Sequence, residues 1–268
     1  VILCELNRIA SHMLFIATMG LDAGAMTPSM FCFRGRERIQ GLFESVSGAR
    51  MMHNYFRIGG LKEDVPENFV AEVREVLDLV KKDTEESDKL LSFNEIFLAR
   101  LKNIAVMTAE DAIDYGLTGP CLRASGVDYD LRKAVPYSVY DRFDFDVPIG
   151  LDGDCWDRYY LRVQEVYQSV RIIEQALDQL PDGEVVSSLG RRLIRPPAGE
   201  VYVRGENPRG EIGVYLVSDG ADRPYRVKVR PPSFCNLSSL KHMLKDAWIA
   251  DSVVILGALD IVLGEVDR

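Results

Sequence analysis

The chain has 268 residues, enough to bury one large core or two modest ones, and its 47% hydrophobic and 27% charged composition is that of a globular protein. A net charge of −9 and a pI near 5.0 argue against a nucleic-acid surface, which would need a basic face. Cys4, Cys32, Cys121, Cys155 and Cys235 are odd in number and never form a CxxC pair, which fits free thiols in a reducing compartment and speaks against a disulfide framework or a zinc knuckle.

Helical period runs through Ile2, Ile9, Met13, Ile16 and Leu21, and Pro28 is expected to stop it. Ile39, Leu42, Phe43 and Val46 restore a helical apolar face, and Gly59 and Gly60 end this unit. Pro66 is placed for the first turn of a further helix with Phe69, Val73, Val76 and Val80 on one side. The charged stretch Lys81 to Lys89 reads as a solvated face or turn, and another helix runs through Ile96, Leu98 and Leu101. Thr108 and Asp111 have the spacing of a capping box, with Gly116 placed to end that short helix. Residues 117–157 read as ordered irregular structure. Trp156, Tyr159, Val163, Val166, Val170, Ile173, Leu177 and Leu180 then form one seam of a long bundle helix, which Pro181, Asp182 and Gly183 end.

The best domain boundary is residues 184–199, with Arg191, Arg192 and Arg195 ahead of Pro196 and Pro197. Strands follow at 200–204, 211–218 and 225–230, joined by turns at 207–210 and 219–224. Apolar segments around Leu240 and from Ile249 to Leu259 are expected to be helical. The fold class is therefore α+β: a helical bundle over 1–183 and a smaller antiparallel sheet with C-terminal helices over 184–268. No uncharged apolar run approaches the roughly 18 residues of a membrane span, and no signal peptide is visible.

Two polar lines set the first helix apart. Ser11, Thr18 and Asp22 lie within about 20° of one line at 3.6 residues per turn. Glu5, Arg8 and His12 form a neighbouring line at spacings of three and four. Unpaired charges cost several kcal/mol each in an apolar core, so this helix either borders a polar cavity or pairs its charges with a partner. A plain intrahelical charge ladder is the simpler account.

The wording of the chain adds a resemblance. ELNRIASH at Glu5–His12, LDAGAMTP at Leu21–Pro28 and SGARMMHNYFRIGG at Ser47–Gly60 open it. GLTGPCLRASGVDYDLRK at Gly116–Lys133, FDVP at Phe145–Pro148, PRGEIGVYLVSDG at Pro208–Gly220, YRVKVRPPSFCNL at Tyr225–Leu237 and LGALDIVLGEVDR at Leu256–Arg268 carry it to the last residue. Together they resemble the quinone-side catalytic subunit of respiratory complex I, the D or large subunit of NADH-quinone oxidoreductase, in the nickel-iron hydrogenase large-subunit superfamily. Members carry a further N-terminal segment, so the chain is expected to be a fragment or one piece of a split subunit.

The resemblance implies an α+β fold like the hydrogenase large subunit and a membrane-peripheral oxidoreductase subunit on the cytoplasmic or mitochondrial matrix side. It implies quinone as substrate, electrons from an iron-sulfur cluster in a partner subunit, and coupling of quinone reduction to proton uptake. The partners it implies are that iron-sulfur subunit, other peripheral-arm subunits, a membrane-arm subunit and the N-terminal segment. Asp22 matches the carboxylate of the proton supply and Thr18 a residue lining the pocket. Met26, Met30, Phe31 and Phe33 are candidates for the apolar approach of a quinone, with core packing as the competing account. Arg57 falls in a motif near the cluster-bearing partner, with an ordinary surface salt bridge as the competing account. His12 and His53 read as structural, and His242 as exposed.

No metal ligands are expected. Where nickel-iron hydrogenases carry a D-x-C-x-x-C tail, this chain has Asp260, Val262 and Glu265, and neither an aliphatic group nor a lone carboxylate replaces soft thiolates. The charged tail is expected to plug that former site, with Arg123 or Arg132 as partners. The alternatives are a non-catalytic scaffold subunit and a membrane-bound nickel-iron hydrogenase large subunit. NADH, a deazaflavin and ferredoxin all stay open as electron donor, and the isolated chain is expected to be inactive.

Overall fold

The first helix, α1 (Ile2–Asp22), is the axis of the computed structural model, which describes residues 1–187 and 195–267. Leu6, Ile9, Met13, Phe15, Ile16, Ala17 and Met19 are buried on several sides of α1. A stripe through Cys4, Asn7, Ser11, Leu14, Thr18 and Asp22 stays more open. Gly24, with φ of 90°, turns the chain after α1, and α2 (Thr27–Ser47) packs back on it. Pro28 sits in the first turn of α2 and does not stop α1: its missing N–H costs nothing where no intrahelical partner exists. Gly35 brings the two helices close, since a Cβ there would lie 2.4 Å from Cε of Met13.

A two-stranded ribbon, β1 (Phe56–Arg57) and β2 (Gly60–Leu61), turns through Gly59 and leads to α3 (Phe69–Leu91). The charged stretch Lys81 to Lys89 lies inside α3, and part of it faces inward. Asp83, Thr84 and Ser87 are buried, with Asp83 bonded to Arg34 of α2 and Ser87 3.4 Å from Cys32. The chain continues through α4 (Glu95–Leu101) and α5 (Ala109–Asp114), where Thr108 accepts the Asp111 backbone N–H at 3.1 Å as the capping pattern requires.

Residues 117–157 hold two short helices, α6 (Pro120–Ala124) and α7 (Leu131–Ala134), and are tied down from the start of the next helix. The Asp157 carboxylate accepts the backbone N–H groups of Leu151, Asp152 and Gly153 at 2.9, 2.7 and 3.2 Å. That helix, α8 (Cys155–Asp178), packs against α1, α3 and α6. Tyr159, Val163, Val166, Val170, Ile173 and Leu177 are all buried, each contributing about 1.5–3 kcal/mol where the side chain is fully enclosed. Leu180, expected in that seam, lies beyond the helix and is exposed.

The expected boundary at 184–199 includes residues 188–194, among them Arg191 and Arg192, which lie outside the described residues. After it, β3 (Gly199–Asn207), β4 (Gly210–Ser218) and β5 (Arg226–Arg230) form an antiparallel meander in the order β3-β4-β5, with Asn207 paired to Gly210 at the first turn. The tip of this hairpin lies backbone to backbone against α6. A Cβ on Gly119 would stand 2.4 Å from Cα of Gly210, so side chains at both positions would push the hairpin off the bundle. Helices α9 (Pro232–Leu237), α10 (Leu240–Met243), α11 (Ser252–Ala258) and α12 (Leu263–Val266) complete the chain, with α11 against α1 and α8. Among the described residues no helix is long and apolar enough to cross a membrane.

Candidate functional site

The Glu5, Arg8, His12 line does not end on its own helix. Glu5 accepts from Arg8 at 3.1 Å within α1, but also from Arg132 of α7 at 3.1 Å, Ser169 of α8 at 2.7 Å and Tyr140 at 2.7 Å. Arg8 donates to the backbone carbonyls of Glu206 and Asn207 at the end of β3. His12 meets Glu165 of α8 at 2.8 Å. Arg123 of α6 then joins Glu165 at 2.6 Å to Glu206 at 3.0 Å, and Arg132 holds Asp130 at 2.6 Å.

Every one of these charged side chains is almost completely buried. Burial alone would raise the Glu5 carboxyl, but Arg8, Arg132 and two hydroxyls outweigh it and hold it at about 2. Glu165 is likewise far below the carboxylate range, because Arg123 and His12 overcome its burial. Burial prevails at His12, which is pushed down, and at Glu206, which is pushed up. Sequence reasoning missed Glu165, Glu206 and Asp130. The signal available was on α8, where Arg158, Arg162, Glu165 and Ser169 repeat at steps of three and four beside the apolar seam.

The C-terminal charges find partners other than those expected. Arg123 and Arg132 are occupied by the cluster just described, and Asp260 instead accepts from Arg209 at the β3–β4 turn, at 3.0 Å. Arg162, 3.6 Å from Asp260, covers it from the α8 side and stacks 4.2 Å over the Phe15 ring. Glu265 accepts from the hydroxyl and backbone N–H of Ser233 in α9, so it joins two elements of the same C-terminal region. Glu265→Ala should cost about 1–3 kcal/mol by leaving the Ser233 donors unpaired. Thermal retention of the subunit in the parent complex measures this, and an unchanged midpoint would contradict it. Among the described residues no three His, Cys, Asp or Glu side chains converge as a metal ion requires.

The open stripe of α1 carries the residues expected at the site. Near its middle, Asn7, Ser11 and Leu14 border a groove of about 360 Å³ with Gln40, His53, Arg209 and Val262 among the facing residues. Thr18 and Asp22 lie further along the stripe and do not line it. The Thr18 hydroxyl is exposed and donates back to its own helix, to the carbonyls of Phe15 and Leu14 at 3.0 and 3.1 Å. Asp22 is at the helix end, and partial burial against α11 raises its carboxyl above the usual value. Met26 and Met30, at the start of α2, are 64% and 60% exposed and so are not spent on core packing. Phe31 is half-buried, with the Arg34 guanidinium 5.5 Å from its ring centre.

Arg57 is exposed on β1 and bonds to Asn54 and the Phe56 carbonyl. Its neighbour Phe56 lines a second pocket, of about 310 Å³, together with Val1, Ile2 and Leu3. That is the opposite end of α1 from Asp22, so Arg57 and Asp22 do not share one site within this chain; α1 is about 30 Å long. His53 stacks on Phe43 with ring centres 4.1 Å apart, and His242 is half-buried against Tyr115, not exposed.

Residues 22–192 and 188–268 match the family described as respiratory-chain NADH dehydrogenase, 49 Kd subunit. The chain belongs to this family. Over its whole length it is 50% identical to the NADH-quinone oxidoreductase D subunit of Desulforamulus reducens and 48% identical to the second such D subunit of Solibacter usitatus, covering 73% and 72% of those relatives. The corresponding D subunit of Bacillus mycoides is 50% identical, with 73% of its length covered. Membership of the 49 kDa family makes the chain a subunit of a multisubunit oxidoreductase, with the mostly helical fold and small antiparallel sheets that the resemblance implied.

Proposed function

We propose that this chain forms part of the quinone-reduction site of a complex I-like dehydrogenase and that Asp22 supplies protons there. The observation that carries the reading is Asp22 itself. It is an ionisable group with a raised carboxyl pKa, one turn beyond an exposed Thr18, and the exposed Met26 and Met30 follow four and eight residues later. Sites for apolar rings with polar ends combine such surfaces: apolar lining with a few polar groups that fix orientation. The relatives are named as D subunits of NADH-quinone oxidoreductase, which gives the substrate class.

Reducing a quinone to a quinol takes up two electrons and two protons. The electrons come from an iron-sulfur cluster in a partner subunit, and Arg57, exposed on β1, is the residue of this chain assigned to that partner's surroundings. Asp22, Thr18, Met26, Met30 and Phe31 form one wall, and neighbouring subunits of the peripheral and membrane arms supply the rest. The chain sits peripherally, on the cytoplasmic or matrix face, and touches the membrane only through partners.

A photoreactive quinone tests the placement. Illuminated in the assembled complex, it should label this subunit within residues 18–33, and excess unlabelled quinone should abolish the labelling. Competed labelling of this subunit only outside that stretch would overturn the wall assignment.

A further inference from the structure

We propose that Gly257 of α11 is a positioning residue for Asp22, its missing side chain being the space in which the Asp22 carboxylate sits. The proposal rests on the quinone-site role of Asp22 given above. A Cβ built on Gly257 would stand 2.8 Å from Oδ2 of Asp22, 3.5 Å from Sδ of Met19 and 3.9 Å from Cγ of Asp22. Those are its three nearest atoms outside its own helix, and all belong to side chains of α1.

The backbone gives no other reason for a glycine here. Gly257 lies within α11, and its φ is not in the left-handed region that favours glycine. Within a helix almost any residue is preferred to glycine. Gly119 and Gly210, by contrast, have positive φ and meet each other's backbone. At Gly257 the obstacle to a methyl group is the free end of a rotatable carboxylate. A methyl group would therefore turn the carboxylate away and leave α1 and α11 where they are. Gly257 thus sets where the Asp22 oxygens point without touching substrate.

The test is a double-mutant cycle in the intact parent complex, comparing Gly257→Ala, Asp22→Asn and the pair at matched assembly. Gly257→Ala is expected to lower quinone turnover by about 10-fold to 100-fold, as small misplacements of a reacting group do. Reduction of the partner's iron-sulfur cluster should be unchanged. In the Asp22→Asn background the same glycine change should add no further loss, because the group it positions is already gone. Loss on Asp22→Asn with full turnover in Gly257→Ala would overturn this inference alone. Full turnover in Asp22→Asn would instead remove the role of Asp22 on which it rests. If Gly257→Ala fails to assemble, Asp22→Ala/Gly257→Ala decides: assembly of the pair shows that Asp22 is what the methyl meets, and failure of the pair makes Gly257 a helix-packing residue and overturns the proposal.

Discussion

Arg123→Met should remove the subunit from the assembled complex. Arg123 is fully buried and its guanidinium does three things at once: it meets Glu165 at 2.6 Å, meets Glu206 at 3.0 Å, and donates to the Tyr129 carbonyl at 3.0 Å. Taking away one partner of a buried ion pair costs about 3–5 kcal/mol, because the other charge stays behind unpaired. Here two carboxylates are left behind, against a typical net stability of about 5–15 kcal/mol for a whole domain. Arg123→Lys should recover only part of the loss, since one ammonium does not span both carboxylates as a planar fork does. Adding Glu206→Gln to Arg123→Met should recover part as well, because it deletes one of the orphaned charges. Subunit content of the purified complex and its thermal dissociation measure all three variants. Wild-type content and midpoint in Arg123→Met would show that the cluster does not hold the fold.

The cluster also marks the limit of what the sequence discloses. Period alone placed the long helices, because Tyr159, Val163, Val166 and Val170 have one apolar face in any context. The hairpin was legible because Asn207 and Gly210 bracket a two-residue turn. Spacing alone also showed that Glu5, Arg8 and His12 share a line needing partners. Their identity was hidden, since His12 meets Glu165 across 153 residues of chain and Glu5 meets Arg132 across 127. Such a contact is fixed by how helices pack and leaves no local pattern.

The misplaced features have local physical reasons. Pro28 was expected to stop a helix, but a proline is compatible with a first turn and so begins one. Lys81 to Lys89 looked like a solvated stretch because most of its residues are charged, yet Asp83 and Ser87 recur four apart and turn inward to Arg34 and Cys32. In the C-terminal tail the nature of the groups was legible and their pairing was not. Arg209, which holds Asp260, arrives from the β3–β4 turn, whose docking depends on the Gly119–Gly210 contact. At the open end of α1 the Ser11, Thr18, Asp22 line was readable from angle alone, and it is the stripe that stays less buried.

Asp22→Asn should lower quinone reductase turnover by about 100-fold or more, the usual worth of a positioned proton donor. The substitution keeps the shape of the side chain and removes only the ability to hold and release a proton. Among the described residues Asp22 makes no ion pair of the kind that binds Arg123, so the exchange should leave assembly intact, and the fall in rate is the signature of chemistry and not of folding. The measurement is turnover of the parent complex, wild type against Asp22→Asn, at equal subunit content and with reduction of the partner's iron-sulfur cluster followed in the same samples. A large loss of turnover with the cluster still reduced at the wild-type rate is the predicted result. Unchanged turnover would make Asp22 a structural residue and leave the chain a scaffold at this position.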